Sequence, residues 1–148
     1  MKPMKKLSPD FKIEEFVRKE DADICSRSCP DYISRIKNKL VDPVFGPLRK
    51  KLASKIIITS GFRTALHNSS IGGKPHSHHL FHADRCAADF TAQNIASAWE
   101  WLEEHQNRFC YAYWDKERNF IHISALTATD DRVGKMWVID GKGENKNG

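Results

Sequence analysis

The spacing of apolar residues changes near Lys55, and this change restricts the folds that the chain can adopt. Upstream, apolar residues recur at steps of three and four, which predicts an amphipathic helix that begins at Pro30-Asp31 and is interrupted at Pro43. A shorter helix is predicted at 14–17, and a polar turn that holds Cys25 and Cys29 separates the two helices. The core-facing residues of the longer helix are Ile33, Ile36, Leu40, Val41 and Val44.

Downstream of Lys55 the apolar runs are short, as in β-strands. The run at 55–60 is β-branched and continuous, which predicts a buried strand, while the polar, glycine-containing stretch at 61–75 predicts a loop. Helices followed by strands with one helix between them indicate an α+β fold, with N-terminal helices packed on a small, mainly antiparallel sheet. The further predicted elements are strands at 87–90, 109–114 and 119–125, the last two forming a hairpin, and a helix at 94–106.

Length and charge favour a single domain with an anionic partner. The chain has 148 residues, and we expect one domain over 1–140 and a disordered polar tail over 141–148. The net charge of +5 favours anionic partners, but the basic residues are scattered and match no nucleic-acid-binding motif, so we do not expect nucleic acid to bind.

The ends of the chain and its cysteines suggest a protein that is made and kept in a reducing compartment. No apolar run is long enough to span a membrane, and the basic N-terminus lacks an apolar signal region. We therefore expect a soluble monomer that stays in the cytoplasm of the producing or host cell unless it is exported with help. Cys25 and Cys29 have the spacing of half a zinc cluster, but the other half is missing, which favours free thiols.

The histidines are the strongest functional signal. Four of the seven lie between His76 and His82, and His122 lies inside an apolar strand. A strand histidine alone is more often a hydrogen-bonded core residue. Asp89 follows two alanines in another predicted strand, where an unpaired carboxylate would be costly, so its presence favours a shared cation. Two histidines and one carboxylate leave a fourth zinc position open for water, which is the pattern of a catalytic site.

Several separated motifs resemble the M15 family of zinc D-alanyl-D-alanine carboxypeptidases and phage endolysins, and within it the small single-domain subgroup. The likeness covers residues 5–126. The motifs, in order along the chain, are Leu7-Ser8-Pro9 with Phe11, Glu15-Phe16, residues 57–64 (IITSGFRT), Asn68, residues 71–80 (IGGKPHSHHL), Ala87-Ala88-Asp89 and residues 120–124 (FIHIS).

This resemblance implies a hedgehog/DD-peptidase-like fold. It also implies an enzyme that hydrolyses a peptide bond in peptidoglycan stem peptides or crosslinks. The implied zinc ligands are His79, Asp89 and His122. Arg63 is implied as a catalytic and substrate-binding group whose guanidinium holds a carboxylate or a polarised carbonyl oxygen, and Ser77 as a second substrate-binding residue. In its small size the chain resembles a phage-encoded lysis or entry enzyme more than a secreted housekeeping enzyme.

The first departure from the family pattern concerns the first histidine ligand. The family places this histidine seven residues before the aspartate, whereas His79 and Asp89 are ten residues apart. His82 keeps the family spacing but lacks the serine two positions before it. We favour His79 because Ser77-x-His79 continues an unbroken match, and three extra residues in a loop cost little.

The second departure concerns the general base. Many members carry an acid three residues before the last histidine ligand, and this chain has Asn119 there. In the small subgroup the acid ends the preceding strand, which makes Asp115 the candidate and Glu117 the reserve. A charged, wet hairpin turn explains both residues equally simply, and Asn119 also keeps open a non-catalytic zinc-binding module of the same fold. The motifs do not separate a carboxypeptidase from an endopeptidase.

Overall fold

The computed structural model describes residues 6–140, which form an α+β structure, so the predicted α+β class is confirmed. The tail predicted at 141–148 lies outside the described residues. No helix within 6–140 has both the length and the apolar character needed to cross a membrane.

The N-terminal third is more helical than the sequence predicts. The helix predicted at 14–17 is a short 3-10 turn at Ile13–Glu15. The polar turn predicted around Cys25 and Cys29 is a helix that contains Cys25 and ends just before Cys29, and both cysteines are buried free thiols. The elements of this part are β1 (Lys6–Ser8), β2 (Phe11–Lys12), α1 (Ala22–Ser28), α2 (Tyr32–Ile36), a π-helical segment (Lys37–Phe45) and α3 (Gly46–Leu52).

Pro43 widens the long helix instead of ending it. Because proline has no backbone N–H, the usual i to i−4 ladder cannot continue through it. The chain keeps its helical course by forming the π-helical segment, and Pro47 then lies at the start of α3, where no N–H is required. The predicted interruption is therefore a change of helix type within 32–52.

A five-stranded sheet forms the other half of the domain. Its order is β3-β4-β6-β5-β7, with three antiparallel pairs and one parallel pair between β5 and β7. The predicted hairpin is confirmed as β5 and β6. The strands are β3 (Ile56–Ser60), β4 (Ala87–Ala92), β5 (Tyr111–Asp115), β6 (Phe120–Ser124) and β7 (Lys135–Ile139), and the helix between β4 and β5 is α5 (Ile95–Glu104).

Two local predictions are wrong or incomplete, and one strand is absent from the predicted elements. β3 is an edge strand whose Ile57 side chain is half exposed, so this strand is not buried on both faces. The stretch predicted as a loop contains α4 (Ala65–Ser70), which Thr64 caps by accepting a hydrogen bond from the backbone N of His67. β7 was not predicted.

The two faces of the sheet have different roles. On β4, Ala88 and Phe90 point into the core, where Phe90 meets Phe45 of the π-helical segment edge-on at 5.3 Å between ring centroids. On β6, Ile121 and Ile123 are also fully buried. Because side chains alternate along a strand, the residues between these point to the opposite face.

Candidate active site

Asp89 and His122 lie directly opposite each other on the face of the sheet turned away from the core. They are paired in the register of β4 and β6, and both side chains are buried. Directly opposite residues of an antiparallel pair have Cβ atoms roughly 4.5–5.5 Å apart. Strand pairing alone therefore brings this carboxylate and this imidazole together.

His79 reaches the same point from a short 3-10 turn at His78–Leu80. The hydroxyl of Ser77 accepts a hydrogen bond from the backbone N of His79 at 3.2 Å and so caps this turn. The backbone N of Arg63 donates to the carbonyl of His79 at 2.8 Å. These bonds fix the turn against the end of β3, and the side chain of His79 is buried.

The three side chains form a compact set of possible metal ligands. Oδ1 of Asp89 lies 3.1 Å from Nε2 of His79 and 2.8 Å from Nδ1 of His122, and the two ring nitrogens are 3.2 Å apart. Within residues 6–140, this is the group of three histidine, cysteine or acidic side chains whose ligand atoms converge closely enough to hold a metal ion.

The outer nitrogen of each imidazole already has a partner. Nδ1 of His79 lies 2.7 Å from the carbonyl oxygen of Gly61, which only accepts hydrogen bonds, so this nitrogen carries a proton. Nε2 of His122 lies 2.7 Å from the hydroxyl of Ser124, which accepts from it in the tautomer that leaves Nδ1 unprotonated. The inner nitrogens then face each other and the Asp89 carboxylate with lone pairs.

This donor set fits zinc. A tetrahedral zinc ion with bonds of about 2.0–2.1 Å separates its ligand atoms by roughly 3.3 Å, close to the distances found here. Converging lone pairs on three buried atoms repel one another, and a cation placed among them removes the repulsion. The hydrogen bonds to Gly61 and Ser124 are the kind that orient histidine ligands at metal sites.

The electrostatics of the cluster favour an ionised carboxylate at Asp89 and a neutral ring at His122. Burial acts to raise the pKa of Asp89, but the charge and hydrogen bonds that His79 and His122 supply when their inner nitrogens are protonated outweigh it and hold this pKa below its usual range. Burial lowers the pKa of His122, against the opposing effect of Asp89. An anionic aspartate and neutral imidazoles are the forms in which these side chains bind metal.

Arg63 lies next to the cluster. Its Nη2 is 3.6 Å from Oδ2 of Asp89, the carboxylate oxygen that does not face the histidines. Its Nε donates to the hydroxyl of Ser60 at 3.4 Å and its Nη1 to Oδ1 of Asn68 at 3.2 Å. The guanidinium is thus held at the edge of the cluster by three side chains.

Asp115 and Glu117 have different surroundings. Asp115 is buried at the end of β5 and lines the same cleft as the cluster, and its Oδ1 accepts from the backbone N of Arg118 at 2.9 Å. Asp115 is not part of the converging group, so its carboxylate is not one of the possible metal ligands. Glu117 is exposed in the turn between β5 and β6 and does not line the cleft.

The cleft has a volume of about 580 Å³ and an aromatic wall that the sequence analysis did not anticipate. The ring of Tyr113 stacks on His122 at 4.8 Å and on Trp137 of β7 at 5.4 Å. Tyr111 stacks on the same two rings at 5.3 and 5.5 Å. The alternation Tyr111-x-Tyr113-x-Asp115 indicates in the sequence that these three side chains share one face of a strand. No sequence pattern indicates Trp137, because the strand that holds it, β7, is not predicted.

Two further histidines of the His76–His82 run lie away from the cluster. His82 is exposed and does not line the cleft. His78 is buried with its Nε2 2.9 Å from Oδ2 of Asp130. Burial lowers the pKa of His78 to about 4, so it is neutral at pH 7 and anchors the segment around Asp130 instead of facing the cleft.

Comparison with known proteins gives one family. The family model described as Peptidase M15 matches residues 9–124, a span that contains His79, Asp89, Asp115 and His122. No curated protein is matched with significance.

Proposed function

Because the chain belongs to the peptidase M15 family, we propose that it is a zinc metallopeptidase of the hedgehog/DD-peptidase fold that cleaves a peptide bond in peptidoglycan. The substrate is a stem peptide or crosslink, cut by carboxypeptidase or endopeptidase action. The observation that carries this proposal is the convergence of three buried ligand atoms in a cleft that is also lined by a buried carboxylate, Asp115, which is not one of them. A structural zinc site is usually closed by four protein ligands and needs no such neighbour.

His79, Asp89 and His122 would hold the zinc ion. When bound, the ion polarises a water molecule and the carbonyl group of the scissile bond. Gly61 and Ser124 keep each imidazole in the tautomer that presents its inner nitrogen.

Asp115 is the proposed general base. It lines the cleft two residues after Tyr113, which pairs with the ligand His122 across the β5–β6 hairpin. Residues two apart on a strand point to the same face, roughly 7 Å from each other, so Asp115 lies one repeat along the strand from the cluster. From there its carboxylate takes a proton from the attacking water and returns it to the leaving amine.

The charge of the cleft suits an anionic peptide. Arg63, Lys74, Arg118 and Arg132 line it, against Asp89 and Asp115. Stem peptides carry free carboxylates, and Arg63 is placed to bind one of them or the polarised carbonyl oxygen. The stacked tyrosines and Trp137 give the opposite wall an apolar surface for the aliphatic part of the peptide.

The first test is metal content. Protein purified without a histidine tag or chelator should contain about one zinc per chain by elemental analysis. His79→Ala and His122→Ala should lose the metal, whereas the matched control His82→Ala, a loss of an exposed imidazole from the same run, should keep it. Zinc retained by His79→Ala but lost by His82→Ala would contradict this ligand set, and no zinc in the folded wild type would overturn the proposal.

The second test is cleavage. Purified peptidoglycan and synthetic stem peptides should yield products that mass spectrometry identifies, and release of a single terminal residue separates a carboxypeptidase from an endopeptidase. Prior removal of zinc should abolish cleavage and added zinc should restore it. A zinc-loaded protein that cleaves none of the peptide bonds in these substrates would favour the non-catalytic zinc-binding module.

A further inference from the structure

A closed ring of hydrogen bonds joins Arg63 to His79 through Asn68 and the cleft-lining turn at 71–77. The backbone N of Arg63 donates to the carbonyl of His79, whose own N donates to the hydroxyl of Ser77. The backbone N of Ser77 donates to the carbonyl of Lys74 at 3.0 Å. Asn68 completes the ring, because its Nδ2 donates to the same carbonyl at 3.0 Å and its Oδ1 accepts from Nη1 of Arg63 at 3.2 Å.

Asn68 is the one side chain of this ring that binds both the guanidinium and the turn. It belongs to α4 and only 3% of it is exposed, so both of its hydrogen bonds are sheltered from water. Its backbone carbonyl also accepts from the N of Gly73 at 2.7 Å. A buried amide with both ends bonded has one orientation, since a flip would place oxygen against oxygen and nitrogen against nitrogen.

Gly73 leaves room for this amide. A Cβ atom at Gly73 would lie 2.1 Å from Oδ1 of Asn68, far inside van der Waals contact. The backbone of Gly73 therefore approaches the amide as closely as a residue without a side chain permits. The neighbouring glycine, Gly72, has a positive φ of 74°, and no atom lies within 4 Å of a Cβ added there.

We propose that Asn68 is a positioning residue that holds the Arg63 guanidinium and the cleft-lining turn at 71–77 in a fixed relation to His79. The inference rests on the proposed function, since it acts through the substrate contact assigned to Arg63. Asn68 itself does not line the cleft, so its effect on substrate is transmitted by the two partners of its side chain.

The test compares Asn68→Ala and Asn68→Asp with Ser70→Ala. The control removes a hydrogen bond of the same helix, from the Ser70 hydroxyl to the carbonyl of His67, without touching the ring. Both Asn68 variants should raise KM for a stem peptide, with kcat/KM falling roughly 10²-fold, because a misplacement of about 1 Å costs that much. Asn68→Asp keeps the shape but loses the donor to Lys74, so it should be impaired like Asn68→Ala.

A double-mutant cycle shows whether the effect passes through Arg63. If it does, Asn68→Ala should lower kcat/KM in the wild type but much less in an Arg63→Ala background. Gly73→Ala should reproduce the rise in KM with Asn68 intact, because the added methyl group displaces the amide. Zinc content should stay at about one per chain in all of these variants, because no ligand is changed.

Other outcomes overturn the inference. A purely structural role would lower the active fraction, so apparent kcat and zinc content would fall together while KM stayed unchanged. Equal losses in the presence and absence of Arg63, or an active Asn68→Asp, would also reject it. Failure of the proposed function is a different result, since wild-type protein would then lack zinc or cleavage. In that case solution NMR of the Arg63 Nη–H signals still tests the contact between Arg63 and Asn68: these signals should shift in Asn68→Ala and not in Ser70→Ala.

Discussion

Replacing Gly61 with alanine should damage both the stability of the domain and its zinc site. The added Cβ would lie 2.0 Å from the carbonyl oxygen of Phe16, a backbone atom that cannot rotate away. The closest carbon–oxygen contacts without overlap are about 3.3 Å, so the segment around Gly61 or the segment around Phe16 must move by more than about 1 Å. The same carbonyl accepts from the backbone N of Phe62 at 2.8 Å, and the carbonyl of Gly61 accepts from Nδ1 of His79 at 2.7 Å.

The expected loss of stability follows from these contacts. Overpacking costs about 1–3 kcal/mol, and a buried N–H left without its acceptor about 1–3 kcal/mol more. A loss of about 4 kcal/mol, the middle of the combined range, lowers the Tm of a domain this size by roughly 8–16 °C. Displacing Gly61 also releases the His79 ring, which should weaken zinc binding roughly 10–100-fold.

The matched control is Gly134→Ala. Gly134 has a positive φ of 81° and no atom within 4 Å of an added Cβ, so the variant measures conformational strain without overlap. That strain is about 1–2 kcal/mol, or roughly 2–8 °C in Tm. Thermal unfolding should be followed in excess chelator, which removes the contribution of the metal, and zinc affinity by competition with a chromophoric chelator. If Gly61→Ala is no less stable than Gly134→Ala and binds zinc as the wild type does, the overlap argument is wrong.

Three further predictions concern the cleft. Asp115→Asn should lower kcat by about 10²–10⁴-fold with zinc content unchanged, whereas Glu117→Gln should keep activity, as steady-state kinetics on a stem peptide will show. Ser124→Ala removes the partner of Nε2 of His122 and should weaken zinc binding roughly 10–100-fold in a competition titration. Trp137→Ala removes the outer ring of the aromatic stack, so KM should rise while zinc content, measured by elemental analysis, is retained.

The elements that the sequence predicts well are those with strong local patterns. The hairpin of β5 and β6 consists of two short runs rich in aromatic and β-branched residues on either side of a charged turn, and α5 has an Asn94 cap and a core-facing stripe. The pairing of Asp89 with His122 follows once β4 and β6 are neighbours, because the register places them opposite each other. The resemblance to a family implies the ligand set, whereas the adjacency of β4 and β6 is a finding of the structure.

The elements that were missed lack the local apolar patterns by which helices and strands are predicted. α4 has six residues with no apolar stripe, and the side-chain hydrogen bonds of Asn68 with Arg63 and with the carbonyl of Lys74 support it in place of a core-facing surface. β7 pairs in parallel with β5 across a long connection, which leaves no hairpin signal. The exposure of Ile57 follows from the edge position of β3, and strand order is a property of the whole sheet.

Asn119 stands where many family members carry an acid, and this was the reason to consider a non-catalytic zinc-binding module. Its place in the fold weakens that argument. It occupies the left-handed region, with φ of 60°, in the turn that joins β5 to β6, a conformation that asparagine adopts more readily than most residues. Its side chain is exposed, does not line the cleft and donates to the hydroxyl of Thr91 at 3.4 Å. The identity of residue 119 is therefore explained by the turn, and the choice between enzyme and binding module depends on the carboxylate of Asp115.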